Sequence, residues 1–221
     1  MRRLANAVAG CVLAMTGTGV AAPSVDPGAM TVAAFGTSLT RRGGWQEALA
    51  ARLQTCLGRP VTVLNLARSG ATSEWGLGAV DSVVRQRPDA VLIEFSVNDA
   101  SLHRFVGLQE SGANVRGIVE RLKRELPEAR IYLMTMSPVI GMRGLIRPFL
   151  DDYYALYRDL SQELGTGFID NRPAWATLSP DELEAALPDG SHPDPAVARR
   201  LIVPVIAEAL SAGRCGEADG S

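Results

Sequence analysis

Residues 30–40 read MTVAAFGTSLT, a short apolar run followed at once by a polar turn. The segment 30–36 is apolar almost throughout, which is typical of a strand that is covered on both faces of a parallel sheet. The turn after it contains Ser38. Ligands of open parallel sheets bind beyond the carboxyl ends of the strands, so this turn is expected to lie at a functional edge.

The same pattern recurs along the chain, in alternation with segments of helical periodicity. Further apolar runs occupy residues 61–67, 90–96, 130–137 and 167–170, and apolar residues at helical spacing occupy residues 45–57, 77–86, 114–126, 149–164 and 196–210. This alternation predicts a parallel sheet with helices on both faces. The predicted fold class is α/β, a single-domain three-layer α/β/α sandwich with a mostly parallel five-stranded sheet, over residues 30–211. Residues 137–148 are predicted to form a loop near the site, and residues 212–221 a loose tail.

Composition excludes several classes of partner. The chain has 221 residues, a formal net charge of -2 and 5% aromatic residues, so it offers neither a basic face nor stacking platforms for nucleic acid. Its cysteines and histidines are not clustered at the spacings that bind metal ions. We therefore expect no nucleic-acid partner, no metal and no cofactor.

The N-terminal residues indicate export. Two arginines precede an apolar stretch at residues 5–20, which ends in small residues. This order is typical of a secretory signal peptide, predicted here as residues 1–22, with a short linker at residues 23–29. The protein is therefore expected to be secreted or periplasmic, with no stable membrane insertion after cleavage. A retained N-terminal anchor and lipid attachment at Cys11 are the alternatives.

Cleavage at that point leaves two cysteines, Cys56 and Cys215, in the mature chain. In an oxidising compartment two such cysteines can form a disulfide. The favoured interpretation is a bond that ties the C-terminal tail to the first long helix. The alternative is two free thiols.

Three residues at the ends of successive predicted strands are candidates for chemistry. Ser38 follows the first strand, Gly70 the second and Asn98 the third. Each has a structural alternative, as a helix cap, a turn residue or a turn glycine. In the functional interpretation the Ser38 hydroxyl projects above the sheet, while the Gly70 N–H and the Asn98 amide face a ligand, because such donors stabilise oxyanions.

The fourth candidate is the segment Asp189-Gly190-Ser191-His192, close to the C-terminus. An acid three residues before a histidine, in one loop, can orient the imidazole ring. The only other histidine, His103, has no comparable setting and is interpreted as a loop residue that borders the pocket at most.

The order of Ser, Gly, Asn and Asp-x-x-His along the chain resembles the SGNH, or GDSL-type, hydrolases over about residues 30–210. Residues 36–39 resemble that family's Gly-Asp-Ser-Leu block, residues 65–70 its second block, residues 97–99 its third and residues 189–192 its last. There are two departures: Thr37 stands where the family usually has Asp, and Ser96 where Gly is common. They bear on the hydrogen bonds of the first loop and on the shape of the pocket.

The resemblance implies a flavodoxin-like fold and a serine hydrolase that needs no cofactor. It implies Ser38 as the nucleophile, His192 as its base and Asp189 as the residue that orients the imidazole. It further implies an oxyanion hole made of the backbone N–H groups of Ser38 and Gly70 and the side-chain amide of Asn98.

The resemblance also implies an ester or thioester substrate. The compact chain leaves no room for a large lid, which favours short acyl groups. The expected substrate is a small-molecule or carbohydrate ester, including O-acetyl groups of a polysaccharide. The alternatives are a lysophospholipase or thioesterase, a non-catalytic carbohydrate-binding protein and an acetyl-transferring protein on the same fold.

The predicted loop at residues 137–148 carries both apolar and basic side chains. Its apolar residues, together with Met134 and Met136, are interpreted as core, with an acyl pocket as the alternative. Arg143 and Arg147 are interpreted as solvated, with contact to an acidic sugar or a phosphate as the alternative.

Overall fold

The computed structural model describes residues 28–216 and contains one parallel sheet within them. Its strands are Met30–Gly36 (β1), Val61–Asn65 (β2), Ala90–Glu94 (β3), Arg130–Met134 (β4) and Gly167–Ile169 (β5). They lie in the order β2-β1-β3-β4-β5, and every neighbouring pair is parallel. The predicted signal peptide, Cys11 and the linker up to residue 27 lie outside the described residues.

The helices of the described chain alternate with these strands. They are Ser38–Arg41 (α1), Gln46–Leu57 (α2), Ser73–Ala79 (α3), Asp81–Val84 (α4), Ser96–Asp99 (α5), Leu108–Glu125 (α6), Gly141–Leu145 (α7), Leu150–Leu164 (α8), Arg172–Trp175 (α9), Pro180–Ala186 (α10) and Pro195–Ser211 (α11), with a 3-10 turn at Leu102–Arg104. Within residues 28–216 no helix is both long and apolar enough to span a bilayer.

Helices cover the sheet on both faces, which confirms the predicted three-layer α/β fold. Along β1 the side chains of Met30, Val32 and Ala34 belong to the core under α2 and α11. Ala33 and Phe35 belong to the core on the other side, with residues of α3, α6 and α8. Because both faces are buried, the strand is apolar without alternation, which is why its limits could be predicted from the sequence.

The strand register brings the candidate residues to one edge. Gly36, the last residue of β1, pairs with Glu94, the last residue of β3. On the other side Ala34 pairs with Asn65, the last residue of β2. The turns that follow these three strands therefore start at nearly the same height and meet above the carboxyl edge of the sheet.

Several strands and helices begin or end at other residues than those predicted. β2, β3 and β4 end two or three residues before their predicted ends, because the chain turns out of the sheet there. The predicted helix at 77–86 is two helices that begin at Ser73, and the helix predicted at 114–126 begins at Leu108. The predicted loop at residues 137–148 contains the short helix α7.

The C-terminal segment is ordered further than predicted. The loose tail was expected from residue 212, yet Cys215 is only 1% exposed. Its backbone carbonyl accepts a hydrogen bond from Arg52 Nη2 at 3.0 Å, and its N–H donates to Ser211 Oγ at 3.0 Å. These contacts fasten residues 212–216 against α2, so the prediction of a loose tail from residue 212 is wrong for this part.

Cys56 and Cys215 lie together, with their Cα atoms 5.4 Å apart and a sequence separation of 159. This Cα separation is in the range that a disulfide spans. The predicted bond would join α2 to the last described turn of the chain and close a loop around most of the fold.

We expect Cys56→Ala, Cys215→Ala and the double variant to lose the same stability, about 2–4 kcal/mol, because breaking either end of a disulfide removes the whole cross-link. Urea unfolding of the three variants and the wild type measures this. A reductant should lower the stability of the wild type and leave the double variant unchanged. Losses that add between the two single variants would contradict the bond.

Candidate active site

Ser38 lies in the turn where β1 gives way to α1. Thr37 is the N-cap of that helix, and its hydroxyl accepts a hydrogen bond from the Leu39 N–H at 3.2 Å. Ser38 is the first helical residue, so its own N–H has no acceptor within the helix. The side chain is largely buried, and its Oγ faces the loop that carries His192.

Ser38, His192 and Asp189 form a continuous chain of contacts. His192 Nε2 lies 2.8 Å from Ser38 Oγ, and His192 Nδ1 lies 2.6 Å from Asp189 Oδ2. The other oxygen of Asp189 accepts hydrogen bonds from the backbone N–H groups of Ser191 and His192, at 2.9 and 2.7 Å. The loop 189–192 thus positions its own imidazole ring, as the spacing of the two residues suggested.

The protonation state of this loop follows from the same contacts. Partial burial raises the pKa of Asp189, but hydrogen bonds from His192 and Ser191 outweigh it and hold that pKa well below its usual range. Asp189 is therefore a carboxylate at neutral pH and accepts a hydrogen bond from the Nδ1–H of His192. This tautomer leaves the lone pair of Nε2 directed at Ser38.

A second donor competes for that lone pair. Arg42 Nη2 lies 2.7 Å from His192 Nε2, and the Arg42 backbone N–H closes α1 by donating to the Ser38 carbonyl at 2.9 Å. A guanidinium has only donors, so Arg42 and the Ser38 hydroxyl share the single acceptor of the ring. Arg42 was not among the predicted site residues, because an arginine after a four-residue turn carries no signal of its own in the sequence.

Gly70 and Asn98 border the same cavity as Ser38, of about 260 Å³. Gly70 has a φ of 76°, a left-handed conformation that glycine adopts without strain. Asn98 belongs to α5, and its Nδ2 donates one hydrogen to the Ala71 carbonyl at 2.8 Å. The second Nδ2 hydrogen remains for a ligand, because an amide nitrogen carries two.

The residue after Asn98 anchors this corner of the site. Asp99 Oδ1 accepts the Ser73 N–H at 2.8 Å, and Asp99 Oδ2 accepts the Ser111 hydroxyl at 2.7 Å. Burial raises the pKa of Asp99, and these hydrogen bonds, which lower it, offset only part of that effect. Asp99 thereby ties α5 to the start of α3 and to α6, which fixes the direction of the Asn98 side chain.

Beneath the Ser38 turn lies a fully buried carboxyl group, that of Glu94. Its Oε1 accepts the Thr37 N–H at 2.6 Å and the Thr40 hydroxyl at 2.7 Å, and its Oε2 accepts the Thr37 hydroxyl at 2.9 Å. A Cβ added at Gly36 would lie 2.3 Å from Glu94 Oε1, so only glycine fits beside it. Burial raises the pKa of Glu94 to about 7, although the threonine hydrogen bonds oppose this.

The two departures from the family pattern have different consequences here. Thr37 caps α1 and donates to Glu94, so its hydroxyl both accepts and donates a hydrogen bond. Ser96 is buried at the start of α5, and its hydroxyl has no hydrogen-bond partner among the described residues. A Gly or Ala at residue 96 would therefore lose no hydrogen bond.

Of the other candidate residues, some lie in the core and some at the surface. Met134 and Met136 are buried in the core, whereas Met142 and Leu145 are exposed. His103 is exposed and does not line the cavity of Ser38 within the described chain. Its neighbour Arg104 does line it, as do both loop arginines, Arg143 and Arg147. Groups of three or more potential metal ligands are absent from residues 28–216.

The chain is similar to known proteins in sequence. Residues 31–200 match the model of the GDSL-like lipase/acylhydrolase family. A GDSL esterase/lipase from Arabidopsis thaliana is 30% identical over 135 residues, which cover 53% of this chain and 54% of the plant protein. A second GDSL esterase/lipase from the same plant is 32% identical over 119 residues, 48% of either chain. The chain thus spans about half the length of the curated relatives it matches.

Solved structures share its fold. Axe2, an acetylxylan esterase from Geobacillus stearothermophilus, matches with a TM-score of 0.66 and 24% identity, over 84% of this chain and 94% of that one. A lipase/acylhydrolase from Enterococcus faecalis matches with a TM-score of 0.69 and 23% identity, over 83% of this chain and 96% of that one. At these identities the likeness establishes the fold.

Glu94 makes stability depend on pH. The folded state keeps the Glu94 proton up to a pH of about 7, whereas the unfolded chain loses it at its ordinary pKa of 4.5. The bound proton therefore stabilises the folded state in full below a pH of 4.5. This stabilisation is lost as the pH rises through about 7. Glu94→Gln mimics the protonated form, and its amide can donate to the Thr37 hydroxyl.

We expect the wild type to lose about 2–3 kcal/mol more than Glu94→Gln between about pH 5 and about pH 8, measured by urea unfolding. The matched control is Glu128→Gln, at an exposed position, which should follow the wild type. Equal pH dependence of Glu94→Gln and wild type would show that Glu94 is ionised throughout this range.

Proposed function

The chain belongs to the GDSL-like lipase/acylhydrolase family, and from this membership we propose that it is a serine esterase that hydrolyses short-chain carboxylic esters. The observation that carries the proposal is the chain of contacts from Asp189 through His192 to Ser38, at 2.6 and 2.8 Å. Such contacts are the signature of a hydroxyl nucleophile with an adjacent, oriented base.

The first half of the reaction forms an acyl-enzyme. Ser38 Oγ attacks the carbonyl carbon of the ester while His192 Nε2 takes the hydroxyl proton. Asp189 stabilises the positive charge that develops on the ring. When the tetrahedral intermediate collapses, the bond to the alcohol oxygen breaks and His192 returns the proton to that oxygen.

Three donors are available for the negative oxygen of the intermediate. They are the backbone N–H groups of Ser38 and Gly70 and the free Nδ2 hydrogen of Asn98, which border one cavity. Donors that are held in place before the reaction stabilise the transition state without reorganisation. Water then attacks the acyl-enzyme with His192 as its base, which releases the acid and restores Ser38.

The size of the cavity supports short acyl groups. Its volume of about 260 Å³ lies below the range usual for drug-sized ligands. An O-acetyl group on a carbohydrate fits this limit, and one protein that shares the fold is described as an acetylxylan esterase. O-deacetylation of a carbohydrate is therefore the preferred form of the proposal.

The proposed place of action is outside the cytoplasm, in the periplasm or the medium. It rests on the signal-like residues 1–22 and on the paired cysteines. Cell fractionation tests it, and recovery of the protein in the cytoplasmic fraction would contradict it. N-terminal sequencing then distinguishes cleavage after residue 22 from a retained anchor.

We expect Ser38→Ala and His192→Ala to lower kcat on 4-nitrophenyl acetate by at least about 1,000-fold, because each removes an atom that the proton transfer needs. Asp189→Ala should lose less, because Ser191 Oγ lies 3.3 Å from His192 Nδ1 and can accept a hydrogen bond from it. A fluorophosphonate probe should label the wild type and not Ser38→Ala.

The matched control is His103→Ala, which removes the only other histidine from an exposed turn and should leave the rate unchanged. Full activity in Ser38→Ala would end the proposal. Labelling without turnover of any ester would instead favour a non-catalytic binding protein.

We expect Asn98→Ala to lower kcat by about 100- to 1,000-fold with little change in KM, because one oxyanion donor is lost in the transition state only. The Ala71 carbonyl also loses its donor, so urea unfolding must show that the variant is folded under the assay conditions. An unchanged kcat in the folded variant would remove Asn98 from the oxyanion hole.

A series of 4-nitrophenyl esters of increasing chain length tests the acyl preference. Acetate should be released fastest, and a preference for long chains would favour the lysophospholipase or thioesterase alternative. Acetate release from acetylated xylan, with product analysis in the presence of a sugar acceptor, separates hydrolysis from acetyl transfer.

A further inference from the structure

The cavity of Ser38 and His192 is unusually basic. Four of the residues that line it are arginines, namely Arg42, Arg104, Arg143 and Arg147. They come from the C-cap of α1, from the 3-10 turn and from the region of α7, so distant parts of the chain converge there. No aspartate or glutamate of the described chain lines the cavity.

Two of these arginines are occupied by the catalytic groups. Arg42 Nη2 contacts His192 Nε2 at 2.7 Å. Arg143 forms an ion pair with Asp189 at 3.3 Å. Arg104 and Arg147 take part in none of the ion pairs between described residues, so their charges face the cavity without a carboxylate partner.

Arg104 lies close to Gly70, one of the proposed oxyanion donors. A Cβ built on Gly70 would lie 3.1 Å from Arg104 Nη2 and 3.9 Å from its Nη1. The Nη2 end of the guanidinium therefore occupies the space beside Gly70 that a side chain would need. Its side chain forms no hydrogen bond within the described chain, so its five donors are available to a ligand.

Arg147 is held from the other side by backbone carbonyls. Its Nε donates to the Val97 carbonyl at 2.7 Å and its Nη1 donates to the Arg143 carbonyl at 2.9 Å. Burial lowers the pKa of Arg147, and the nearby charges of Arg143 and Arg104 lower it further. A half-buried guanidinium that is fixed in place and repelled by its neighbours is not a solvated loop arginine.

We propose that the substrate of this site is an ester that carries an oxyanion group, a carboxylate or a phosphate, beside the scissile bond, bound by Arg104 and Arg147. The inference rests on the proposed esterase function. An oxyanion between the two guanidinium groups offsets their repulsion and forms charge-assisted hydrogen bonds, which planar guanidinium groups make in pairs. Short neutral acetates would then be poorer substrates than acidic ones of the same shape.

The test compares three acetates that differ in one substituent: 3-acetoxybenzoate, 3-acetoxyphenyl phosphate and the neutral 3-acetoxybenzamide. We expect kcat/KM of the wild type to be at least about tenfold higher for one of the anions than for the amide. The better anion identifies the source as a carboxylate or a phosphate. Equal values for all three acetates would overturn the proposal while leaving the esterase function intact.

The variants Arg104→Gln, Arg147→Gln and their combination should reduce the ratio of anionic to neutral kcat/KM, to about one in the combination. Because the ratio compares two substrates within one variant, a general loss of activity cancels. Arg41→Gln is the matched control, since it removes a guanidinium from α1 that does not line the cavity, and it should keep the wild-type ratio. A wild-type ratio in the folded double variant would overturn the assignment.

A binding experiment separates this proposal from the esterase function. Calorimetric titration of Ser38→Ala with 3-acetoxybenzoate and with 3-acetoxybenzamide measures affinity without turnover. Tighter binding of the anion, lost in Ser38→Ala combined with Arg104→Gln and Arg147→Gln, supports the site even if no ester is hydrolysed. Equal affinity for both compounds overturns the proposal, whatever the outcome of the activity assays.

Discussion

The hydrogen bonds of the Glu94 carboxyl group are the constraint on which the candidate site depends. The Glu94 oxygens accept hydrogen bonds from the Thr37 N–H and from the hydroxyls of Thr37 and Thr40. Thr37 in turn caps the helix that Ser38 begins. A carboxyl group buried without such donors is strongly unfavourable, so the turn and Glu94 depend on each other. At residue 37 this chain has a threonine where the family usually has Asp, and the threonine hydroxyl donates to Glu94.

The site lies between carboxyl groups on one side and guanidinium groups on the other. Below Ser38 the carboxyl group of Glu94 is enclosed by threonines, and beside the imidazole Asp189 stays ionised. Above them, guanidinium groups border the cavity. Acidic groups thus position the nucleophile and its base from within the protein, while the basic groups are left to face what enters from solvent.

The sequence predicted the parts of the structure that follow from burial and periodicity. The limits of β1 and the meeting of Ser38, Gly70 and Asn98 at one edge follow from a parallel sheet covered on two faces. His192 follows no strand, and its place at the site was implied only by the resemblance. The role of Glu94 was missed, although a charged residue in the apolar run AVLIE was a visible signal.

Arg42 and Arg104 could not have been found in the same way. Each lies in a short irregular segment, where no periodicity indicates the direction of a side chain. Their position depends on contacts between segments that are far apart in sequence, such as the 2.7 Å contact from Arg42 to His192.

The last helix, α11, also packs against a segment that is far from it in sequence. Leu201, Ile202 and Ile206 of α11 complete the core over Met30 and Val32 of β1, so the strand that is synthesised first is covered last. A partly folded state that lacks α11 would therefore leave one apolar face of β1 incompletely covered, and exposed apolar surface of this kind favours aggregation.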